Sequence, residues 1–281
     1  MKKTLPISVV IPTLGSKDLY TSIRKINSAN FLPKEIIIII PEQYYLNKKI
    51  KFNNIKILKT KKSGQVFQRI KGFKAAKNKI VMQLDDDIFL KKNTLINLYK
   101  ALIKKGKKHV VGPVYFDKNF TSSIQKYNQN NNFFFFKEFY KTIICKAKWG
   151  QKKMGTITSI GINYGVDPKF VKKVFFKTEW LPGGCVLGYK DELIKKNYFP
   201  FSGKAYAEDV INSLYRKRKK ISHYVVSNSI VGTKYSVKYS FVEIIQELKV
   251  RYHILNMISG PKISFFIWSF FEIINKLFFK K

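Results

Sequence analysis

Three consecutive carboxylates, Asp85, Asp86 and Asp87, are the side chains of this sequence best placed to do chemistry. They follow an apolar run over 79–84, and in extended chain Asp85 and Asp87 point to the same side. Adjacent carboxylates repel one another, and a divalent cation, which prefers oxygen ligands, relieves that repulsion. A solvated acidic turn is the alternative. Only 17 residues of the chain are acidic, so three together favour a Mg²⁺ or Mn²⁺ site open to substrate phosphates.

A second acidic pair, Glu208 and Asp209, stands where a helical pattern over 209–219 begins. In the first turn of a helix the dipole favours an ionised carboxylate. An ionised Asp209 could therefore accept a proton from an attacking hydroxyl group. Favourable electrostatics at a helix start would explain the same pair without any chemistry.

The segment 180–184 places an aromatic ring beside two glycines. Gly183 and Gly184 permit close approach of the backbone or a positive φ, and Trp180 could stack on the apolar face of a sugar. A tight turn over a buried tryptophan would produce the same pattern. The segment is a candidate contact for substrate.

The elements that must position these residues alternate along the first hundred residues. Apolar runs predict strands over 7–11, 35–40, 55–58 and 79–84. Helical patterns lie between and after them, over 16–27, 63–76 and 93–106, with Ser16 and Ser63 as the expected caps; a further strand is predicted over 185–189. This order predicts an α/β fold with an open, mostly parallel sheet flanked by helices. Ligands of such sheets bind beyond the carboxyl ends of the strands, where the aspartate triplet and the segment 12–15 fall.

Basic residues dominate the charge of the chain, with 54 Lys and Arg against 17 Asp and Glu and a formal net charge of +37. A chain of this charge is drawn to polyanions such as nucleic acid or anionic lipid. Apolar residues make up 45% of the sequence, which excludes global disorder. Two distant cysteines provide no disulfide framework and no zinc spacing. The opening run is too short and too proline-bounded for a signal peptide, so we expect a cytoplasmic location.

The last 46 residues, 236–281, form a helical, aromatic and basic extension. Its most apolar part, 263–279, is interrupted by Glu272 and Lys276, which makes it a poor membrane span. An interfacial helix ending in Lys280 and Lys281 suits the pattern better. Packing against the chain's own domain or against a dimer partner suits it equally.

These segments, taken together and in this order, resemble the family 2 glycosyltransferases of the GT-A fold. The run 7–13 is similar to the first strand and nucleotide loop of that family, and 33–38 to its second strand. Residues 80–87 match the strand that carries its DxD metal motif. The glycine pair of 180–184 and the pair 208–209 match the acceptor loop and the catalytic base. The resemblance covers about residues 8–232.

The resemblance implies a role for each candidate. Asp85 and Asp87 would hold Mn²⁺ or Mg²⁺ on the donor diphosphate, and Asp209 would deprotonate the acceptor hydroxyl, so that displacement inverts the anomeric carbon. The donor nucleotide would contact Pro12, Thr13, Glu42, Arg69, Asp85 and Asp86. The sugar or acceptor would contact Trp180, Gly183, Gly184 and Glu208. Glu42 stands one residue away from the family's usual acidic position, and no His follows in 227–233 to complete the metal site.

The same resemblance implies a catalytic domain over 1–235. Its nucleotide-sugar half would span about 1–115, its acceptor half about 155–235, and an insertion about 119–153. The donor would be a UDP-, dTDP- or GDP-linked sugar, and the acceptor a hydroxyl of a surface glycan or lipid-linked precursor. The QxxRW signature of processive synthases is absent, which favours transfer of a single sugar. We expect contact with an anionic membrane on its inner face, and no specific nucleic acid.

Two alternatives from other classes remain open on sequence alone. A nucleotidyltransferase could use a similar sheet and metal carboxylates, although 13–17 is a thin version of the phosphate loop it needs. A non-catalytic nucleic-acid-binding protein would exploit the +37 charge and bind with a steep salt dependence. That second alternative leaves the acidic triplet without a purpose.

Overall fold

The computed structural model describes residues 2–46, 50–125, 134–234 and 240–279. Its strands are β1 (Lys3–Pro12), β2 (Phe31–Pro41), β3 (Ile55–Thr60), β4 (Ile80–Leu84), β5 (Ile88–Leu90), β6 (His109–Asp117), β7 (Phe175–Thr178), β8 (Cys185–Tyr189) and β9 (Ser222–Thr233). Its α-helices are α1 (Asp18–Asn27), α2 (Gln65–Ala75), α3 (Thr94–Lys105), α4 (Phe134–Ile143), α5 (Glu208–Arg218), α6 (Phe241–Met257) and α7 (Lys262–Ile274).

All of these strands belong to one mixed sheet of order β3-β2-β1-β4-β8-β6-β9-β5. The first four strands in that order are parallel to one another. Strand β8 runs antiparallel to both β4 and β6, and β9 runs parallel to β6. The free side of β9 pairs with β5 near one end and with β7 near the other. The predicted α/β sheet flanked by helices is confirmed, with its antiparallel pairs gathered in the second half.

The run of five isoleucines explains the layers around the sheet. Ile36 to Ile40 are all fully buried in β2. Ile36 and Ile38 pack with α1 and α3 on one face, whereas Ile37 and Ile39 pack with Phe73 of α2 on the other. A strand covered on both faces needs a continuous apolar run rather than an alternating one. Gly72 lets α2 lie close, since a Cβ there would come 2.3 Å from Val10.

The C-terminal extension is helical as predicted and packs on the sheet domain. Helix α6 begins with a capping box between Ser240 and Glu243. Phe265 and Trp268 of α7 pack with Leu255 of α6, Cys145 and Ile160. Within the described residues, every helix is too short or too polar to cross a membrane.

Several local predictions were wrong. Neither Ser16 nor Ser63 caps a helix, because α1 and α2 begin one residue later, after Lys17 and Gly64. The segment 155–165 contains one isolated bridge, between Ile157 and Asn163.

Four strands and one helix were not predicted. Strands β5 and β7 have only three and four residues, and β6 contains Gly112 and Pro113, at which its register with β9 shifts. Strand β9 was left unassigned, and α4 lies in the predicted insertion, part of which, 126–133, falls outside the described residues. The domain boundaries drawn from the sequence stay a prediction.

Candidate active site

The candidate site lies where β1 and β4 end, beside the loop 180–184 and the first turn of α5. The backbone N–H of Asp85 donates to the Gly184 carbonyl at 2.8 Å, which joins the end of β4 to the loop. A cavity of about 550 Å³ opens here. It is lined by Pro12, Thr13, Leu14, Ser16, Ser63, Gly64, Gln65, Gln68, Asp86, Gly203, Lys204 and Ala205. Its position at the carboxyl ends of parallel strands is the one that the sequence predicts.

Asp85 is held by two side chains of α2. Gln65 Nε2 and Arg69 Nη2 donate to Asp85 Oδ1 at 3.0 and 2.6 Å. The two residues are four apart, so they share one face of the helix. Burial raises the pKa of Asp85, and the guanidinium of Arg69 opposes that rise. The Oδ1 atom of the Asp85 carboxylate is therefore occupied by hydrogen bonds from α2.

Asp86 ties the triplet to the loop after β1. Thr13 Oγ1 donates to Asp86 Oδ2 at 2.5 Å and itself accepts from the Gly15 N–H at 2.9 Å. Ser22 Oγ on α1 donates to the Asp86 carbonyl at 2.8 Å. Asp86 lines the cavity, so these hydrogen bonds hold one wall of it in place.

Asp87 is the carboxylate left available. Within the described residues no side chain donates a hydrogen bond to it, and the side chain is partly exposed. Burial raises the pKa of Asp87 to about 6, with Asp85 and Asp86 adding to the rise. The triplet thus has three different environments, and only that of Asp87 is free of hydrogen bonds from other side chains among the described residues.

Glu208 shares Arg69 with Asp85 across the site. Arg69 Nη1 donates to Glu208 Oε1, and the Arg69 side chain is only 1% exposed. Tyr198 donates from its hydroxyl to Glu208 Oε2 at 2.6 Å and accepts from Asn212 Nδ2 at 2.9 Å. The buried guanidinium of Arg69 joins α2 to the end of β4 through Asp85 and to α5 through Glu208. The link is rigid, because losing either carboxylate would leave a buried charge without its partner.

Gly183 is the point at which these groups meet. Its carbonyl accepts from Gln83 Nε2 and, at 3.4 Å, from Arg69 Nη2. A Cβ at this position would come 2.2 Å from Glu208 Oε1, so no other residue fits without moving the carboxylate. The predicted need for glycine in this loop therefore has a specific cause, the close approach of Glu208.

Asp209 lies in the first turn of α5, as predicted, with its carboxylate towards the loop. Its Oδ1 accepts from the Val210 N–H at 2.9 Å, and its Oδ2 from the Gly183 N–H at 3.4 Å. Burial, and next the neighbouring charge of Glu208, raise the pKa of Asp209 to about 7. The two backbone donors and Arg251 oppose that rise. A pKa near the working pH is the property that a general base needs.

Three sequence candidates lie differently from expectation. Trp180 is 5% exposed and its indole N–H donates to the Tyr164 carbonyl at 2.9 Å, so it supports the loop from beneath. Arg69 is buried, is not part of the cavity lining, and bonds instead to Asp85 and Glu208. Glu42 is exposed and is not part of the cavity lining, while Pro12 and Thr13 are.

Sequence reasoning missed four residues that hold the site. Gln65 was detectable, since it is four residues before Arg69 on a predicted helix. Gln68 donates from Nε2 to the Thr13 and Ile39 carbonyls at 2.9 and 2.7 Å, which closes the ends of β1 and β2. Ser22 and Tyr198 gave no local signal, because their partners are 64 and 10 residues away.

The donor set fits a divalent cation that shares its shell with phosphate. Among the described residues no three His, Cys, Asp or Glu side chains converge on one point. Mg²⁺ is usually held by one or two carboxylates, with substrate phosphates and water completing the octahedron. Asp87, with Asp85 beside it, matches that pattern without a third protein ligand.

Replacing Tyr198 with phenylalanine is expected to lower the free energy of unfolding by about 1.5–3 kcal/mol. Glu208 would lose a donor and Asn212 an acceptor while both stay buried. Urea denaturation measures the change, with Tyr99→Phe as the matched control, because the Tyr99 hydroxyl makes no hydrogen bond within the described residues. Equal, small changes in both variants would show that the Tyr198 hydroxyl does not support Glu208.

Comparison of the sequence with known protein families finds a matching family model. The family model described as Glycosyl transferase family 2 matches residues 8–162, slightly more than half of the chain. The matched range contains Arg69 and the aspartate triplet; Gly183, Glu208 and Asp209 lie beyond it. No curated protein sequence matches at a significant level.

Two solved structures show the fold. The crystal structure of GalNAc-T7 with UDP, GalNAc and Mn²⁺ has a TM-score of 0.57 at 15% identity, and the alignment covers 83% of this chain and 43% of that one. The structure of S. aureus TarS 1-349 in complex with UDP-GlcNAc has a TM-score of 0.51 at 14% identity, covering 89% and 65%. The chain therefore spans less than two thirds of either relative, and the shared feature is the GT-A fold.

Proposed function

The chain belongs to glycosyl transferase family 2, and from that premise we propose that it moves a sugar from a nucleotide-diphosphate donor to an acceptor hydroxyl. One observation carries the proposal beyond the family. Arg69 joins Asp85 to Glu208, and these residues stand next in the chain to the Asp86–Asp87 pair and to Asp209, so one buried guanidinium links the segments that carry the available carboxylate of Asp87 and the poised carboxylate of Asp209. A metal–diphosphate group and an acceptor hydroxyl need such carboxylates on opposite sides of a sugar.

We propose that the donor nucleotide occupies the cavity of about 550 Å³, against Pro12, Thr13 and Asp86. Asp87, with Asp85, would hold Mn²⁺ or Mg²⁺, which when bound stabilises the negative charge of the departing diphosphate. GalNAc-T7 crystallised with UDP and Mn²⁺ and TarS with UDP-GlcNAc support a diphosphate donor. UDP, dTDP and GDP remain the candidate nucleotides, and Glu42, outside the lining, remains a candidate contact for the base.

We propose that Asp209 takes the acceptor proton. The acceptor oxygen forms its bond to the anomeric carbon as the bond from that carbon to the diphosphate oxygen breaks, and the hydroxyl proton passes to Asp209. Attack opposite the leaving group inverts the anomeric configuration. Gly183, Gly184 and Glu208 would shape the sugar side of the site, while Trp180 supports the loop.

The acceptor is proposed to be a surface glycan or lipid-linked precursor, met at the inner face of a membrane in the cytoplasm. The net charge of +37 and the aromatic C-terminal helices support that location. Nucleotidyl transfer and nucleic-acid binding, the two alternatives from the sequence, gain no separate support from the described residues.

Thermal unfolding with UDP, GDP, dTDP and CDP, each with and without Mn²⁺, tests the proposal. A ligand at about 100 times its dissociation constant stabilises a protein by roughly 2.7 kcal/mol. We expect one nucleotide to raise the melting temperature, and only with metal. Stabilisation by none of the four, on a folded sample, would contradict a nucleotide-sugar donor.

A further inference from the structure

Helix α4, from the segment that the sequence left unassigned, lies beside α7. The rings of Tyr140 on α4 and Phe271 on α7 are 5.9 Å apart in an edge arrangement. Cys145, just beyond α4, is buried with Phe265 and Trp268 of α7. The two helices therefore contact each other, although 118 residues lie between them in the chain.

The outer side of this helix pair is apolar. Helix α7 turns Phe265 and Trp268 inward, while 263, 266, 267, 270 and 271 follow the spacing of the opposite face. We call the outward rings of both helices the aromatic face: Phe135, Phe136, Phe139, Phe266 and Phe270, each 54–69% exposed. Five phenylalanines exposed together exceed what a surface carries by chance, and such patches mark interaction sites.

The charges around the aromatic face are basic. Lys137, Lys146, Lys148 and Lys262 are exposed beside it. The acidic residues of the two helices are neutralised: Glu138 pairs with Lys141 and Lys153, and Glu272 with Lys276. Within the described parts of α4 and α7, the uncompensated charge facing outward is therefore positive.

A groove between the helices combines both features. Its volume is about 640 Å³, and its lining includes Tyr140 and Trp268, the cationic Lys137, Lys141 and Arg251, and the carboxylate of Glu272. Because Glu272 is paired with Lys276, the cations beside the aromatic rings suit an anionic headgroup attached to an apolar chain. Aromatic rings and lysines together are the composition of segments that lie in a membrane interface.

We propose that α4 and α7 lie flat on an anionic lipid bilayer, with the aromatic face inserted among the headgroups and the lysines against lipid phosphates. A second copy of the chain fits the surface less well, because a two-fold contact would bring the same lysines face to face. Nucleic acid would satisfy the lysines and leave the phenylalanines in water. The proposal goes beyond sugar transfer and does not depend on it.

Co-sedimentation of the full chain with vesicles tests the aromatic face. The vesicles are phosphatidylglycerol mixed with phosphatidylcholine, or phosphatidylcholine alone. We expect binding to the anionic vesicles and none to the neutral ones. The pair Phe139→Ser with Phe270→Ser should weaken binding about tenfold, because two half-exposed rings no longer enter the interface. Ile103→Ser is the control, because this apolar residue is 49% exposed on α3, outside the aromatic face, and is followed by two lysines.

A lysine pair tests the charges independently of the rings. Lys137→Gln with Lys262→Gln should weaken anionic-vesicle binding about 25-fold, since each lysine at a charged surface contributes about fivefold. Lys51→Gln with Lys56→Gln, exposed lysines near β3, should change it less than twofold. Equal effects of the paired variants and their controls would overturn the proposal. So would equal binding to neutral vesicles, or a dimer in sedimentation velocity that the Phe139→Ser, Phe270→Ser pair dissociates. Metal-dependent nucleotide binding is unaffected by any of these outcomes.

Discussion

Replacing Asp209 with asparagine is expected to slow sugar transfer by about 10²- to 10⁴-fold, the usual contribution of a positioned general base. Asparagine keeps one oxygen to accept from the Val210 N–H at the Oδ1 position, and only the longer contact of Oδ2 with the Gly183 N–H is lost, so the first turn of α5 should stay in place. It cannot take a proton from the acceptor. Donor binding, measured by thermal shift with nucleotide and metal, should be unchanged, because the cavity lining does not include Asp209.

The pKa of Asp209 also predicts the direction in which the rate of transfer changes with pH. The pKa of Asp209 is raised to about 7 by burial and by Glu208, with Arg251 opposing. The carboxyl is therefore protonated and inactive below that pH, and ionised above it. The rate of transfer should rise as the pH increases through about 7, and Asp209→Asn should abolish that limb.

A charge control separates this role from a general effect of losing one carboxylate. Asp191 is 96% exposed, and Asp191→Asn should leave both the rate and its pH profile as they are. Retention of more than about a tenth of the parent rate by Asp209→Asn, on folded protein, would show that another group accepts the proton.

The sequence predicted the fold around the candidate site because its signals are local. The five isoleucines could only be a strand buried on both faces, and the alternation around them determined the α/β class. The aspartate triplet directly after an apolar strand placed it at the carboxyl edge of the sheet. The first turn of α5 followed from Glu208 and Asp209 alone. Each of these inferences needs only neighbours within a few residues.

The roles within the site depended on contacts that no local pattern contains. Asp85, Asp86 and Asp87 look equivalent in sequence, yet one faces Arg69, one faces Thr13 and one is left available. Arg69 and Trp180 were predicted to touch substrate, but both are buried. A charged or aromatic residue near a motif can contact the ligand or support the residues that do, and burial decides between these.

The unassigned insertion shows the same limit. Helix α4 is rich in phenylalanine, so its sequence alone does not show which of its sides packs against the rest of the protein. Tyr140 and Cys145 meet Phe265, Phe271 and Trp268 of α7, from the far end of the chain. Only that contact makes the remaining rings one surface.

Asp87→Asn is expected to remove the metal-dependent stabilisation by nucleoside diphosphate and to slow transfer by about 10²-fold or more, since a metal contributes several kcal/mol of charge stabilisation. Folding should not suffer. Asp87 makes no side-chain hydrogen bond within the described residues, and removing its charge relieves repulsion from Asp85 and Asp86. Thermal shift with the matching nucleotide, with and without Mn²⁺, measures the first effect, and initial rates measure the second.

Asp85→Asn provides the contrast, because Asp85 is committed to Arg69 and Gln65. Losing this carboxylate leaves the buried guanidinium with Glu208 as its remaining anionic partner and should lower the free energy of unfolding by about 3 kcal/mol. The two aspartates are therefore expected to differ: Asp85→Asn should lose stability as well as metal-dependent binding, whereas Asp87→Asn should lose metal-dependent binding and keep its stability. If Asp87→Asn still binds nucleotide in a metal-dependent way, the metal is held by other ligands and Asp87 does not have its proposed role.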